Sequence, residues 1–219
     1  MPARYPLRAL VLAALALATL AYCSGAPPIV AAGADASNPR VRIVTSMGVM
    51  EFALDRGRAP LSTANFLAFA ARGAYDGTTF HRVLPEFVIQ GGGWTPGLEE
   101  RAKRAAAAGQ PDVPIHNEWQ NGLRNLRGTI AMAREEGPDT ATREFFINCQ
   151  DNPKLDTARD KTGHAGYAVF GQLINGLDVL DRIRLVPTAK HQLPGTADIE
   201  LEAVPVTPVV IERVEVLGR

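Results

Sequence analysis

Alternation of apolar and polar positions governs most of this chain. Val41-Arg42-Ile43-Val44-Thr45 alternates and is β-branched, Ser46-Met47-Gly48 reads as a turn, and residues 49–54 alternate again with Met50, Phe52 and Leu54 on one face. A period of two sends successive side chains to opposite faces of a strand, so this stretch predicts a hairpin with one buried face. The period then lengthens. Pro60 opens a helical pattern that puts Ala64, Leu67 and Ala71 on one stripe with Phe66, Phe69 and Ala70 beside it, and Gly73 closes it. Proline in the first turn and glycine just past the last are the expected start and stop of a helix.

Further strands are predicted at residues 80–84, 87–91, 129–133, 144–148, 167–174 and 209–216, and a second helix at 177–185, after Gly176. Two long loops, 94–127 and 151–166, separate these elements. Loops of that length in a compact domain are usually functional. Many short strands with few helices predict a closed or nearly closed antiparallel barrel, and closure would remove the edges that so many strands otherwise expose.

The N-terminus breaks the pattern. Arg4 and Arg8 precede an almost unbroken Ala/Leu/Val run over residues 9–20, and Ala32-Gly33-Ala34 follows as an A-x-A cleavage site. The run is too short to span a bilayer. It predicts a cleaved signal peptide over 1–34, a short flexible lead over 35–40 and one domain over 41–219, located in the periplasm. Leu20-Ala21-Tyr22-Cys23 resembles a bacterial lipoprotein box, but the residue before the acylated cysteine is normally small and Tyr22 is not. Simple export is therefore preferred to a lipid anchor through Cys23.

Removal of Cys23 leaves Cys149 as an odd thiol with no internal disulfide, and its apolar run 145–149 reads as a small packed side chain. The roughly 180 residues that remain suit a single domain with a sizeable core. Lys+Arg and Asp+Glu balance at 23 each, so no global field favours nucleic acid. Arg101, Lys103 and Arg104 form one short basic cluster, read as a solvated loop or short helix. His81, His116, His164 and His191 show no ligand-pair spacing, which argues against a metal site. Gly91-Gly92-Gly93 lacks the Gly-Lys-Ser/Thr ending of a phosphate loop, and no G-x-S-x-G elbow occurs. Nothing in the residues demands more than a monomer.

The densest chemistry lies in Phe80-His81-Arg82-Val83-Leu84-Pro85-Glu86-Phe87-Val88-Ile89-Gln90-Gly91-Gly92-Gly93. It sets one fixed cation, Arg82, among apolar strand residues, and a buried charge must be paired or used. Phe87 and Gln90 follow at spacings that could face the same site.

Three further segments stand in order behind it: Arg127-Gly128-Thr129-Ile130-Ala131-Met132-Ala133, Glu144-Phe145-Phe146-Ile147-Asn148 and Gly166-Tyr167-Ala168-Val169-Phe170-Gly171. Together they resemble the cyclophilin family of peptidyl-prolyl cis-trans isomerases, from about residue 41 to 217. Asn117-Glu118 and Asn121-Gly122-Leu123-Arg124-Asn125 resemble its exported bacterial branch. The resemblance implies a mostly β fold: a closed eight-stranded antiparallel β-barrel capped by two α-helices, with a peptide groove on its outer face. Arg82 matches the catalytic arginine. Phe87, Val88, Phe146 and Leu155 match the lining of a proline pocket, with Val88 replacing a more usual Met. Gln90 matches the residue that orients the arginine, Ala133 and Arg134 the segment that pairs with substrate backbone, and Tyr167 a position often held by His.

Two residues depart from the family pattern. Glu144 stands where Gln is usual, and the expectation is that it fixes the guanidinium by a charge-assisted hydrogen bond. Lys154 lies where an aromatic commonly lines the groove, which implies weakened binding of cyclosporin-type macrocycles. Expected partners are proline-containing peptides and unfolded exported proteins, with no cofactor, metal or nucleic acid. Two alternatives stay open at this point. One is a non-catalytic binding module using the same groove; the other is an assembly protein that docks through the 94–127 loop.

Overall fold

The computed structural model describes residues 38–158, 163–193 and 200–217. The expected signal peptide, its cleavage site and Cys23 lie outside them. In chain order the elements are β1 (Arg40–Thr45), β2 (Gly48–Leu54), α1 (Pro60–Ala71), β3 (Thr78–Val83), β4 (Val88–Gly91), α2 (Arg101–Ala107), β5 (Thr129–Met132) and β6 (Phe145–Asn148). A 3-10 turn (Pro153–Asp156) leads to β7 (Val169–Asn175), α3 (Leu177–Arg184), β8 (Thr188–Gln192), β9 (Glu200–Pro205) and β10 (Val210–Leu217).

Eight strands close a barrel in the order β1-β10-β3-β4-β6-β5-β7-β2, and β8 and β9 form a separate two-stranded ribbon. Every pairing is antiparallel. The barrel agrees with the expected fold, with three helices among the described residues where two were expected. The extra one, α2, is the Arg101-Lys103-Arg104 cluster: seven residues, none buried, lying within the long loop.

The alternation seen in the sequence fills the interior. Met50, Phe52 and Leu54 of β2 are fully buried, as are Ile43, Phe80, Ile89, Ile130, Phe145, Ile147 and Phe170 from other strands. Phe66 of α1 plugs one end, stacked on Tyr75 at 5.0 Å and edge-on to Phe145 at 5.4 Å. Such ring pairs add about 0.5–1.5 kcal/mol each beyond the area they bury. The stripe of α1 that turns inward is Ser62, Thr63, Phe66, Phe69 and Ala70, while Ala64 and Ala71 face solvent. Aromatic volume, not the alanine repeat, decides which face of this helix packs.

Among the ties that hold the 94–127 loop, one caps α1 and one reaches a buried arginine. Ala59 offers no side-chain cap to α1, and Glu118 supplies one from the loop, accepting hydrogen bonds from the Leu61 and Ser62 amides at 2.9 and 2.8 Å and from Ser62 Oγ at 2.7 Å. Asp112 accepts from Arg143 Nη2 at 2.7 Å, with both side chains about 95% buried. The Arg143 guanidinium also lies 5.2 Å from the centre of the Phe69 ring.

Candidate active site

Strand pairing builds the site. On the outer face of the barrel one register row runs Arg82 (β3), Gln90 (β4), Phe146 (β6), Ala131 (β5), Val169 (β7). Inward-pointing Ile89, Ile147 and Ile130 form the neighbouring row. A strict period of two would put Arg82 on the same face as Phe80, in the core. It does not, because the β3–β4 register skips one residue: Phe80 pairs with Gly91 and Arg82 with Gln90. A bulge of this kind re-aims the side chains that follow it. Here it absorbs His81, keeps Phe80 and Val83 inside, and leaves Arg82 half-buried on the outer face. Gly91 permits the approach, since a Cβ there would stand 2.8 Å from the Thr79 carbonyl oxygen.

The rest of the row is apolar. Val88, Ala131, Ala133, Phe146, Leu155 and Val169 form a second hydrophobic cluster outside the barrel, with Phe87, Leu123 and Tyr167 packed against it. Leu155 reaches it from the 3-10 turn, whose Lys154 is exposed. Tyr167 meets Phe146 edge-on at 5.6 Å. The Arg134 guanidinium lies 4.6 Å from the Tyr167 ring centre and donates to the carbonyls of Ala165, Gly166, Glu135 and Gly137, clamping two loops. The Ala133 amide donates to the Glu144 carbonyl at 2.9 Å. All the candidate residues thus come together on one face.

One expected contact is replaced by another. Gln90 Nε2 donates to Glu144 Oε2 at 2.7 Å, and among the described residues neither group bonds the Arg82 guanidinium, which has no carboxylate in ion-pairing range. Glu144 turns away because Gly93 leaves room: a Cβ there would overlap its carboxylate. Its Oε2 lies 3.5 Å from His81 Nε2. Burial pushes the His81 pKa down; the Glu144 carboxylate opposes that and Arg82 adds to it.

A cavity of about 810 Å3 opens beside Arg82 and Gln90, walled by His81, Trp94 and Glu144 and by Glu200, Leu201 and Glu202 of β9. Sequence reasoning missed this wall. Trp94 had a signal in its place directly after Gly93 and β9 in the alternation of Glu200-Leu201-Glu202-Ala203, whereas its partner β8 is exposed throughout and carried none.

The model of the family "Cyclophilin type peptidyl-prolyl cis-trans isomerase/CLD" matches residues 40–216. The chain belongs to the cyclophilins. A peptidyl-prolyl cis-trans isomerase of Acinetobacter baylyi is 46% identical over 155 residues, covering 71% of this chain and 77% of the relative. One from Streptomyces antibioticus is 44% identical over 178 residues, covering 81% and 98%. A crystal structure of a Cryptosporidium parvum cyclophilin superposes with a TM-score of 0.63 at 26% identity, covering 83% of this chain and 99% of that one. The same parasite protein crystallised in the presence of the dipeptide Ala-Pro gives a TM-score of 0.62. This cyclophilin is accordingly a peptidyl-prolyl cis-trans isomerase.

Proposed function

We propose that this cyclophilin catalyses X-Pro isomerisation in exported proteins as they fold, with Arg82 as the catalytic residue. An X-Pro bond rotates slowly because amide resonance holds it planar, behind a barrier of about 18–20 kcal/mol. No bond breaks, so the enzyme need only favour the twisted state. There the proline nitrogen becomes pyramidal and accepts a hydrogen bond, and a permanently charged guanidinium can donate it. A preorganised donor away from bulk water contributes about 2.7–4 kcal/mol to a transition state. Binding the twisted form more tightly than either planar isomer is catalysis by differential binding.

The observation that carries this reading is the outer-face row itself, a guanidinium with no partner among the described residues at the end of a built apolar patch. In this scheme Phe87, Val88, Phe146 and Leu155 hold the proline ring, with Tyr167 at the rim. The Ala133–Arg134 backbone pairs with the substrate chain. Gln90 and Glu144 shape the floor beside Arg82 without holding it. Exposed Lys154 puts no aromatic ring at its own place on the rim, opposite the family pattern, so cyclosporin-type macrocycles bind weakly.

The test is kcat/KM on an X-Pro peptide for the mature domain and Arg82→Ala. A fall of at least tenfold, about 1.4 kcal/mol, is expected; an undiminished variant would remove Arg82 from the mechanism. Support for export comes from Arg4, Arg8, the 9–20 apolar run and the Ala32-Gly33-Ala34 motif. Mass spectrometry of the mature N-terminus should find a chain starting near Asp35, whereas a chain starting at an acylated Cys23 would establish the lipid anchor instead.

A further inference from the structure

Three buried asparagines lie beside the apolar patch, and the isomerisation step gives them no task. Asn125 and Asn148 are 0% exposed and Asn152 is 6% exposed. Asn148 pairs with Val88 across β4 and β6, so the two share the outer face of the barrel. A buried amide costs free energy unless its polar groups are bonded. Here every side-chain N–H is spent. Asn148 Nδ2 donates to Asn125 Oδ1 at 3.1 Å and to Thr129 Oγ1 at 2.8 Å. Asn125 Nδ2 donates to Asp156 Oδ1 at 2.8 Å and to the Tyr167 carbonyl at 3.3 Å. Asn152 Nδ2 donates to Asn148 Oδ1 at 2.7 Å and to the Phe87 carbonyl at 2.9 Å.

This network ends at the two walls of the patch that no strand ladder holds. Val88 and Phe146 lie in β4 and β6, whose pairing fixes them. Phe87 sits in the turn before β4, and Leu155 in the 3-10 turn. Asn152 joins them. Its side chain holds the Phe87 carbonyl, its own carbonyl accepts from the Leu155 amide at 2.9 Å, and its amide donates to the Asn125 carbonyl at 2.7 Å. The Phe87 carbonyl accepts a second bond from the Cys149 amide at 2.9 Å, which ties the same point to the end of β6. The Leu155 carbonyl accepts from the Tyr167 amide at 2.9 Å, so the tie continues to the rim. A fully satisfied buried polar network makes the geometry of what it joins more nearly unique.

We propose that Asn152 is a positioning residue for isomerisation. It fixes the spacing of Phe87 and Leu155, so that the proline ring stays gripped while the preceding carbonyl turns, and Asn125 and Asn148 anchor it to the barrel. The inference rests on Phe87 and Leu155 being walls of the proline pocket. Asn152 itself touches no substrate atom in this scheme and acts through the two side chains that do. A ring free to follow the carbonyl loses the orientation on which the bound geometry depends.

The test compares kcat/KM on an X-Pro peptide for the parent domain, Asn152→Ala and Asn152→Asp, each at a temperature where circular dichroism shows it folded. Aspartate keeps the size of the side chain but sets an acceptor oxygen against the Phe87 carbonyl and Asn148 Oδ1. Both variants should lose at least about fivefold, a change of about 1 kcal/mol in the barrier. Glu118→Ala, a destabilised variant whose lost contacts are with α1, should stay within about twofold, which separates positioning from loss of stability. The deciding readout is a mutant cycle. In a Phe87→Ala/Leu155→Ala background Asn152→Ala should cost less than about twofold more, because residues that act through one another are not additive. An undiminished Asn152→Ala, or an equal loss in both backgrounds, would overturn the proposal. A Phe87→Ala/Leu155→Ala protein as active as the parent would overturn the pocket reading itself, and the proposal with it. Should Asn152→Asp not fold, the Asn152→Ala cycle decides alone.

Discussion

Removing the carboxylate of Glu118 should destabilise the domain although the residue sits in a loop. The first four amides of a helix have no partner within it and must find one elsewhere. In α1 the accounting is complete: Pro60 has no N–H, Leu61 and Ser62 donate to Glu118, and Thr63 donates to the Ala59 carbonyl at 3.0 Å. Glu118→Ala therefore strands two amides and the Ser62 hydroxyl. Hydrogen bonds to charged groups contribute about 1.5–3 kcal/mol each, but water can reach Leu61, and losing a side-chain cap usually costs about 0.5–2 kcal/mol. A loss of about 2–3 kcal/mol is expected. For a domain of this size that lowers Tm by about 5–10 °C. Glu118→Gln keeps an acceptor but not the charge facing the helix dipole, and should lose about half as much. Urea unfolding followed by circular dichroism gives both numbers, provided the m-value is constant across the three proteins. A loss below about 0.5 kcal/mol for the alanine variant would refute the cap as the source of α1's stability.

Other expectations follow from the same geometry. Cys149 is 3% exposed and its thiol is pushed up to about 12, chiefly by burial, so a thiol-reactive dye at pH 8 should label it only after denaturation. His81 has a depressed pKa in the folded state, so below about pH 6.5 the unfolded chain binds a proton that the native one does not; stability is full above that pH and falls as the pH drops. Urea midpoints measured from pH 7.5 to 5 should show this slope, and His81→Asn should flatten it. Because Glu144 faces Gln90 and His81 rather than Arg82, Glu144→Gln should change kcat/KM on an uncharged X-Pro peptide by less than about threefold; a larger rise would mean that the carboxylate competes with substrate for the guanidinium.

Much of the architecture was legible because the strands obey their own pattern. Met50, Phe52 and Leu54 alternate in the sequence and are buried in the barrel, while β5 and β6 showed as short apolar runs buried at every position. The first strand of the ribbon was not legible. Thr188–Gln192 has five exposed residues and no apolar face to mark it. Helix α1 was placed correctly but rotated, since alanines satisfy a helical period as well as phenylalanines do and bury far less. The candidate site residues could be singled out through long motifs, but their mutual contacts could not. Whether Arg82 faced the core depended on a one-residue slip that leaves no compositional trace. The direction of Glu144 depended on the missing Cβ of a glycine fifty-one positions earlier.

The row that begins at Arg82 and the row of isoleucines beside it occupy the same strands, back to back. Selection can therefore act on them separately. Exchanges among Val88, Gln90, Glu144 and the residues of β9 alter what the outer face meets without passing through Ile89, Ile147 or Phe145. A lineage can change its clientele by exchanging outward residues while the inward ones hold the shape constant. The ribbon goes further, because it stands outside the barrel ladder and can lengthen, shorten or change charge without reopening the sheet. Divergence in such a protein should accumulate by face, with outward and inward positions of a single strand ageing at different rates.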